Sequence, residues 1–210
     1  MEASMQIETE NLETEALYKL LTGSVVPRPI AWVTTVSVDG VTNAAPFSAF
    51  TFVSNRPPML LINAGRIGGV QKDTARNIEA TGCFTVNVVI EDLLTQMNAS
   101  SAIFPPHVGE PETLGIILAS GALVASPRIA RSPISMECRL RQVLEFGVEG
   151  SQSLVGEVVM WHVADDLYED GKIDQMKLQP VGRIGGAVYA KLGELIRMRA
   201  PYLPPSWQDS

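Results

Sequence analysis

The sequence predicts a mainly β chain, an antiparallel barrel carrying helical excursions. Three observations carry that expectation. Residues 28–46 read as a hairpin: Ile30 to Val36 is β-branched and aromatic, and Asp39-Gly40 supplies a turn before the chain returns through Thr42 to Pro46. Residues 134–146 alternate, with Ile134, Met136, Cys138, Leu140, Leu144 and Phe146 apolar against Ser135, Glu137, Arg139, Arg141 and Glu145. That pattern is a long half-buried strand. Leu154 to Ala164, after a turn over 147–153, is its antiparallel partner.

The remaining elements follow in order. Leu12, Ala16, Leu17, Leu20 and Leu21 recur at helical spacing, which predicts a helix over Asn11–Leu21. Pro46 cannot donate to a ladder, so pairing is expected to fail near it. Asn43 to Ser48 would then leave the sheet as a loop of small side chains open to a ligand. Met59–Asn63 is a short strand, and Ala64–Val70 a glycine-rich loop. Asp73 reads as the N-cap of a short helix that stops at Gly82. Cys83–Ile90 is a strand and Glu91–Ala99 a helix. Residues 100–112 carry three prolines and form a long loop, a feature of functional or loosely held segments. Thr113–Leu123 is ambiguous between helix and strand. Glycines 182, 185 and 186 around Arg183-Ile184 exclude a regular helix and imply a close backbone approach. No repeat or linker divides the chain, so residues 1–210 form one domain, with irregular tails expected over 1–10 and 200–210.

Composition excludes several functions. The net charge of −7 leaves no basic footprint for nucleic acid. No apolar run reaches about 18 residues, so no membrane partner or span is expected. The leading residues are acidic without an apolar signal core, which makes a cytoplasmic location the default expectation. Cys83 and Cys138 sit in apolar strands as small hydrophobes. His107 and His162 have no partners at metal-ligand spacing, so no metal site is expected. The chain has no G-x-G-x-x-G after a strand, no G-x-S-x-G and no P-loop. Chemistry here would belong to a bound cofactor. The helix start at Asp73, with Lys72 beside it, could take a phosphate, but taken alone it reads first as Asp73 capping a short helix, since Asp73 itself would repel an anion.

Three segments, PRPIAWVTT…DGVTNAAPFSAF, SNRPPMLLIN and KDTARNIEATGCFTVNVV, resemble the flavin reductase-like, FMN-binding split-barrel family. PVGRIGGAVYAKLGE is similar to that family's closing segment, so the likeness spans about residues 16–196. The resemblance implies a six-stranded antiparallel split barrel with peripheral helices, a homodimer, and FMN held near the subunit interface. It places Thr34 and Thr35 beside the flavin ring and ribityl chain, and Asn43, Ala45, Phe47 and Ser48 in the loop lining them. Asn63 closes the next strand. Lys72, Asp73, Thr74 and Asn77 fall near the phosphate, and Arg183 and Tyr189 near flavin or substrate. The implied activity is hydride transfer from NADH or NADPH to flavin N5. It needs orientation rather than an acid or base, so no catalytic residue is named. A flavoredoxin-like electron carrier, a non-catalytic FMN-binding protein, and other chemistry on the same barrel are the alternatives.

Overall fold

The computed structural model describes residues 4–66 and 68–198. Seven strands form the main sheet: β1 (Ala31–Val36), β2 (Thr42–Phe47), β3 (Phe50–Asn55), β4 (Pro58–Ala64), β5 (Cys83–Val88), β6 (Ile134–Phe146) and β7 (Ser151–Val163). Their spatial order is β2-β1-β5-β6-β7-β4-β3. Every pairing is antiparallel. The two edge strands, β2 and β3, are consecutive in the chain, and only Ser48 and Ala49 separate them. The Asn63 N–H of β4 donates to the Ala49 carbonyl at 2.8 Å, which carries the β3–β4 pairing up to this corner. This is a split barrel, with seven strands in its main sheet where the resemblance implies six.

Strand alternation builds two cores. Ala31, Val33, Phe84, Val86, Cys138 and Leu154 fill the barrel interior. Trp32, on the opposite face of β1, joins Ile30, Val89, Leu93, Met97 and Ile129 in an outer cluster. Helix α1 spans Thr14–Ser24, α2 spans Asp73–Thr81 and α3 spans Leu94–Ala99. α2 inserts Ala75 and Ile78 into the inner core. A Cβ on Gly156 of β7 would lie 2.5 Å from the Phe84 ring, so only glycine lets that ring cross the strand. Both cysteines are free and buried, and burial pushes the Cys138 thiol far up.

Several expectations are corrected. The first helix begins at Thr14, and none of its residues is buried. Ser37 to Val41 connects β1 and β2: the Gly40 N–H donates to the Ser37 carbonyl, and Gly40 takes φ +85°. That is a three-residue turn rather than a two-residue one. Pairing does not fail at Pro46; the ladder runs through Trp32↔Pro46 to Ala31↔Phe47. β2 is an edge strand, where a missing donor is tolerated. Asn43 to Phe47 is therefore strand, not a released loop. In β6 a bulge at Arg141 shifts the register against β7. Val143 then packs on the inner core, while Phe146 is exposed. Residues 113–123 are mostly irregular, with only Leu118–Ala119 in a strand. The N-cap of α2 is Lys72, and Asp73 is its first helical residue. The glycine segment behaves as expected: a Cβ on Gly182 would meet Pro27 and Arg28 at 3.2–3.3 Å. Residues 200–210 of the proposed tail lie outside the described residues.

Candidate functional site

A cleft of about 360 Å³ opens between β2, the start of α2 and the loop around residues 100–110. Asn43, Ala45 and Pro46 form its floor, Gln71 to Thr74 one wall, and Ser100 to Phe104 with Glu110 the other.

The α2 wall is built for an anion. No side chain caps this nine-residue helix, so its first-turn amides lack a side-chain acceptor. Asp73 is turned to Arg76, with which it forms an ion pair. Lys72 is half-buried, and none of the ion pairs among the described residues uses it. Its ammonium lies 5.3 Å from the centre of the Phe47 ring. Burial lowers its pKa. A desolvated cation with no carboxylate partner among the described residues, at an uncapped helix start, makes this wall locally positive.

Behind the floor lies a buried polar network. Asn43 donates to Glu110 Oε1 at 2.7 Å, and the Ala44 N–H donates to Oε2 at 3.1 Å. Asn43 Oδ1 accepts from the Thr74 hydroxyl at 2.8 Å and from the Thr35 hydroxyl at 3.4 Å. Asn77 donates to the Thr35 oxygen at 3.1 Å. Burial raises the Glu110 pKa, and the surrounding N–H donors offset that only in part. The network fixes the start of α2 against β2 and the loop wall. Because the Thr74 hydroxyl is used inward, this residue offers the cleft its backbone N–H.

A second cavity, of about 170 Å³, adjoins the first, and both are lined by Pro46 and Ser101. Arg28, Ser48, Arg183 and Tyr189 line it. Arg28 donates to Ser48 and to the carbonyls of Thr22, Val25 and Ile184, stapling α1 to the closing segment. Arg183 donates to the Tyr189 hydroxyl, which donates to Asn98 at 2.7 Å.

The structure thus brings Asn43, Ala45, Lys72, Asp73 and Thr74 to one cleft, and Ser48, Arg183 and Tyr189 to its neighbour. Thr35 and Asn77 stand behind the cleft as buried supports. Three further residues also line neither cavity. Thr34 faces the other side of β1, donating to the Pro127 carbonyl. Asn63 is held by Ser151 and Ser153. Phe47 is buried in the inner core and reaches the site only through Lys72. Glu110, Pro46, Gln71 and Arg28 were not expected. The proline-rich stretch signalled a functional loop, but nothing in the sequence singled out Glu110 within it. His107 is exposed and does not line the cleft.

Comparison with known proteins agrees with the fold. The profile of the Flavin reductase like domain matches residues 22–177. An uncharacterized protein of Halalkalibacterium halodurans is 41% identical over 202 residues, which cover 94% of this chain and 97% of that one. Among solved structures, nitrilotriacetate monooxygenase component B from Bacillus cereus superposes with a TM-score of 0.91 at 36% identity. The match covers 94% of this chain and all of that one, 100%. The 2-nitrobenzoate 2-nitroreductase of Pseudomonas fluorescens superposes with a TM-score of 0.85 at 33% identity, covering 96% and 100% of the two chains.

Proposed function

The chain belongs to the Flavin reductase like domain family, and on that premise we propose that it is an NAD(P)H-dependent flavin oxidoreductase that holds FMN in the larger cleft. The observation that carries the reading is Lys72, desolvated, without an ion-pair partner among the described residues and set at the uncapped start of α2. In an acidic protein, a phosphorylated ligand needs such a local positive site.

The residues divide the work. Lys72 and the amides of Asp73 and Thr74 bind the phosphate. Asn43 and the β2 backbone around Ala45 meet the ribityl chain and ring. Glu110, Thr35 and Asn77 keep Asn43 and α2 in position. A flavin held there would supply the hydride-accepting chemistry; the protein's own part is orientation and charge. Ser48, Arg183 and Tyr189 border the adjoining space where a second molecule would dock.

The test is reduction in the absence of oxygen. FMN-loaded protein should bleach on NADH or NADPH. Colour that responds only to a reduced protein carrier would favour the flavoredoxin-like alternative, and colour that no donor bleaches would favour a flavin-binding module without turnover. A chain that takes up no FMN would end the reading.

The proposed assembly is a homodimer. α1 buries none of its residues against its own chain, and Tyr18, Leu21 and the β3 residue Phe52 are each more than 60% exposed, at 66%, 64% and 70%. Such a spread of exposed apolar side chains suits a partner surface. Light scattering should give twice the chain mass of 22.7 kDa, and a monomer at working concentration would refute the assembly.

A further inference from the structure

The smaller cavity carries a charge pattern that flavin binding does not require. Arg28 and Arg183 both line it, and neither takes part in any ion pair among the described residues. In a chain of net charge −7, two arginines without carboxylates on one small cavity mark a site for an anion. Their roles differ. Arg28 has both Nη atoms and Nε committed to Ser48 and three backbone carbonyls, so it contributes charge but is fixed in place. Arg183 spends Nη1 on the Tyr189 hydroxyl, while its Nε and Nη2 have no acceptor among the described residues. Its guanidinium lies 4.6 Å from the centre of the Tyr189 ring, and Asn98 anchors that ring through the hydroxyl. The fork is therefore held in place with donors to spare, as bidentate recognition of a carboxylate requires.

Size narrows the ligand. A cavity of about 150 Å³ accommodates benzene, and this one measures about 170 Å³. It has room for one six-membered ring with a small substituent. Pro46, Ser101 and the Tyr189 ring are walls against which a flat ring can lie. Charge argues against an oxidised nicotinamide as the resident ring, because that ring is a cation and the two arginines repel it.

We propose that this pocket is a subsite for a single aromatic ring bearing a carboxylate. The anion pairs with Arg183 in the field of Arg28, and the ring points across Pro46 and Ser101 toward the larger cleft. Its placement beside a flavin rests on the reading of that cleft given above; the anion subsite itself does not.

Calorimetric titration of the chain with benzoate and with its neutral isostere benzamide, with and without FMN, decides the matter. Benzoate should bind at least about tenfold more tightly than benzamide, as for a charge-assisted contact. Arg183→Gln should abolish that preference, and Arg183→Lys should restore part of it. Benzoate should also shift the visible spectrum of the FMN-loaded chain. Equal binding of the two compounds, binding of neither, or an undiminished preference in Arg183→Gln overturns the proposal. Benzoate bound without a spectral shift overturns its placement beside the flavin. If the chain takes up no FMN, the flavin reading fails, and the benzoate titration of the flavin-free chain still decides the anion subsite.

Discussion

Glu137→Ala should lower the unfolding free energy by about 3–5 kcal/mol, the range for removing one partner of a buried ionic network. Glu137 is 0% exposed on β6 and accepts the N–H groups of Ala122 at 2.6 Å, Leu123 at 2.7 Å and Val124 at 3.1 Å. His162 on the neighbouring β7 places Nε2 2.6 Å from the same carboxylate. One side chain thus terminates three amides of an irregular loop. A Cβ on Gly121 in that loop would sit 2.5 Å from the Val124 carbonyl, so only glycine fits where the loop closes on Glu137. Alanine leaves three part-buried amides without their acceptor. Glutamine keeps the shape but turns an NH2 toward an N–H, so it should recover only part of the loss.

The pH dependence has a definite sign. Burial pushes the Glu137 carboxyl up, but the Ala122 N–H, His162 and the Leu123 N–H outweigh it and hold the group below its ordinary value of 4.5. A carboxyl depressed on folding contributes stability that is complete above its unfolded value and lost as pH falls through the folded one. Urea melts of parent and Glu137→Ala should therefore differ most at neutral pH and converge in the acid range below 4.5. Coincident melts at neutral pH would show that the loop is held some other way.

Glu137 also shows where sequence reading stops. Alternation along residues 134–146 identified the strand and its bounds, because a two-residue period is a local property. It marked Glu137 as lying on the polar face, but it carried no information on what covers that face. The covering loop, 122–124, lies on a separate segment 13–15 residues earlier and is polar only through its backbone. The bulge at Arg141 was hidden for a related reason: register is a relation between strands, and the slip that brings Val143 inward depends on β7. At the cleft, the Lys72-Asp73-Thr74 segment was legible because a helix start declares its free amides locally. The pairing of Thr34 with Thr35 as joint neighbours of one ligand conflicts with a rule available from the start. Adjacent strand residues face opposite sides, so Thr35 joins the network behind the cleft while Thr34 joins Asn87 and Ser126 on the far side. Glu110 was illegible because its meaning lies in a contact with Asn43, 67 residues earlier.

Lys72→Ala should weaken FMN binding by about 1–3 kcal/mol, roughly 5- to 150-fold in affinity, the range for losing a charge-assisted contact in a partly desolvated site. Riboflavin, which lacks the phosphate, should lose little, so the ratio of the two affinities isolates the lysine's partner. The flavin-free variant should melt no lower than the parent. A half-buried ammonium without a carboxylate carries an uncompensated desolvation cost, which alanine removes. That combination, weaker binding without weaker folding, distinguishes a ligand-binding lysine from a structural one. The pH profile adds a third readout. Burial lowers the Lys72 pKa below its ordinary 10.5, and a bound phosphate would raise it again by stabilising the charged form. Parent affinity should therefore hold through neutral pH and fall as pH rises through the depressed value, earlier than for an exposed lysine, while Lys72→Ala shows no such fall. Fluorescence titrations with both flavins measure all of this. An equal loss for riboflavin and FMN would take the phosphate away from Lys72 and leave the uncapped amides of α2 as its only counterpart.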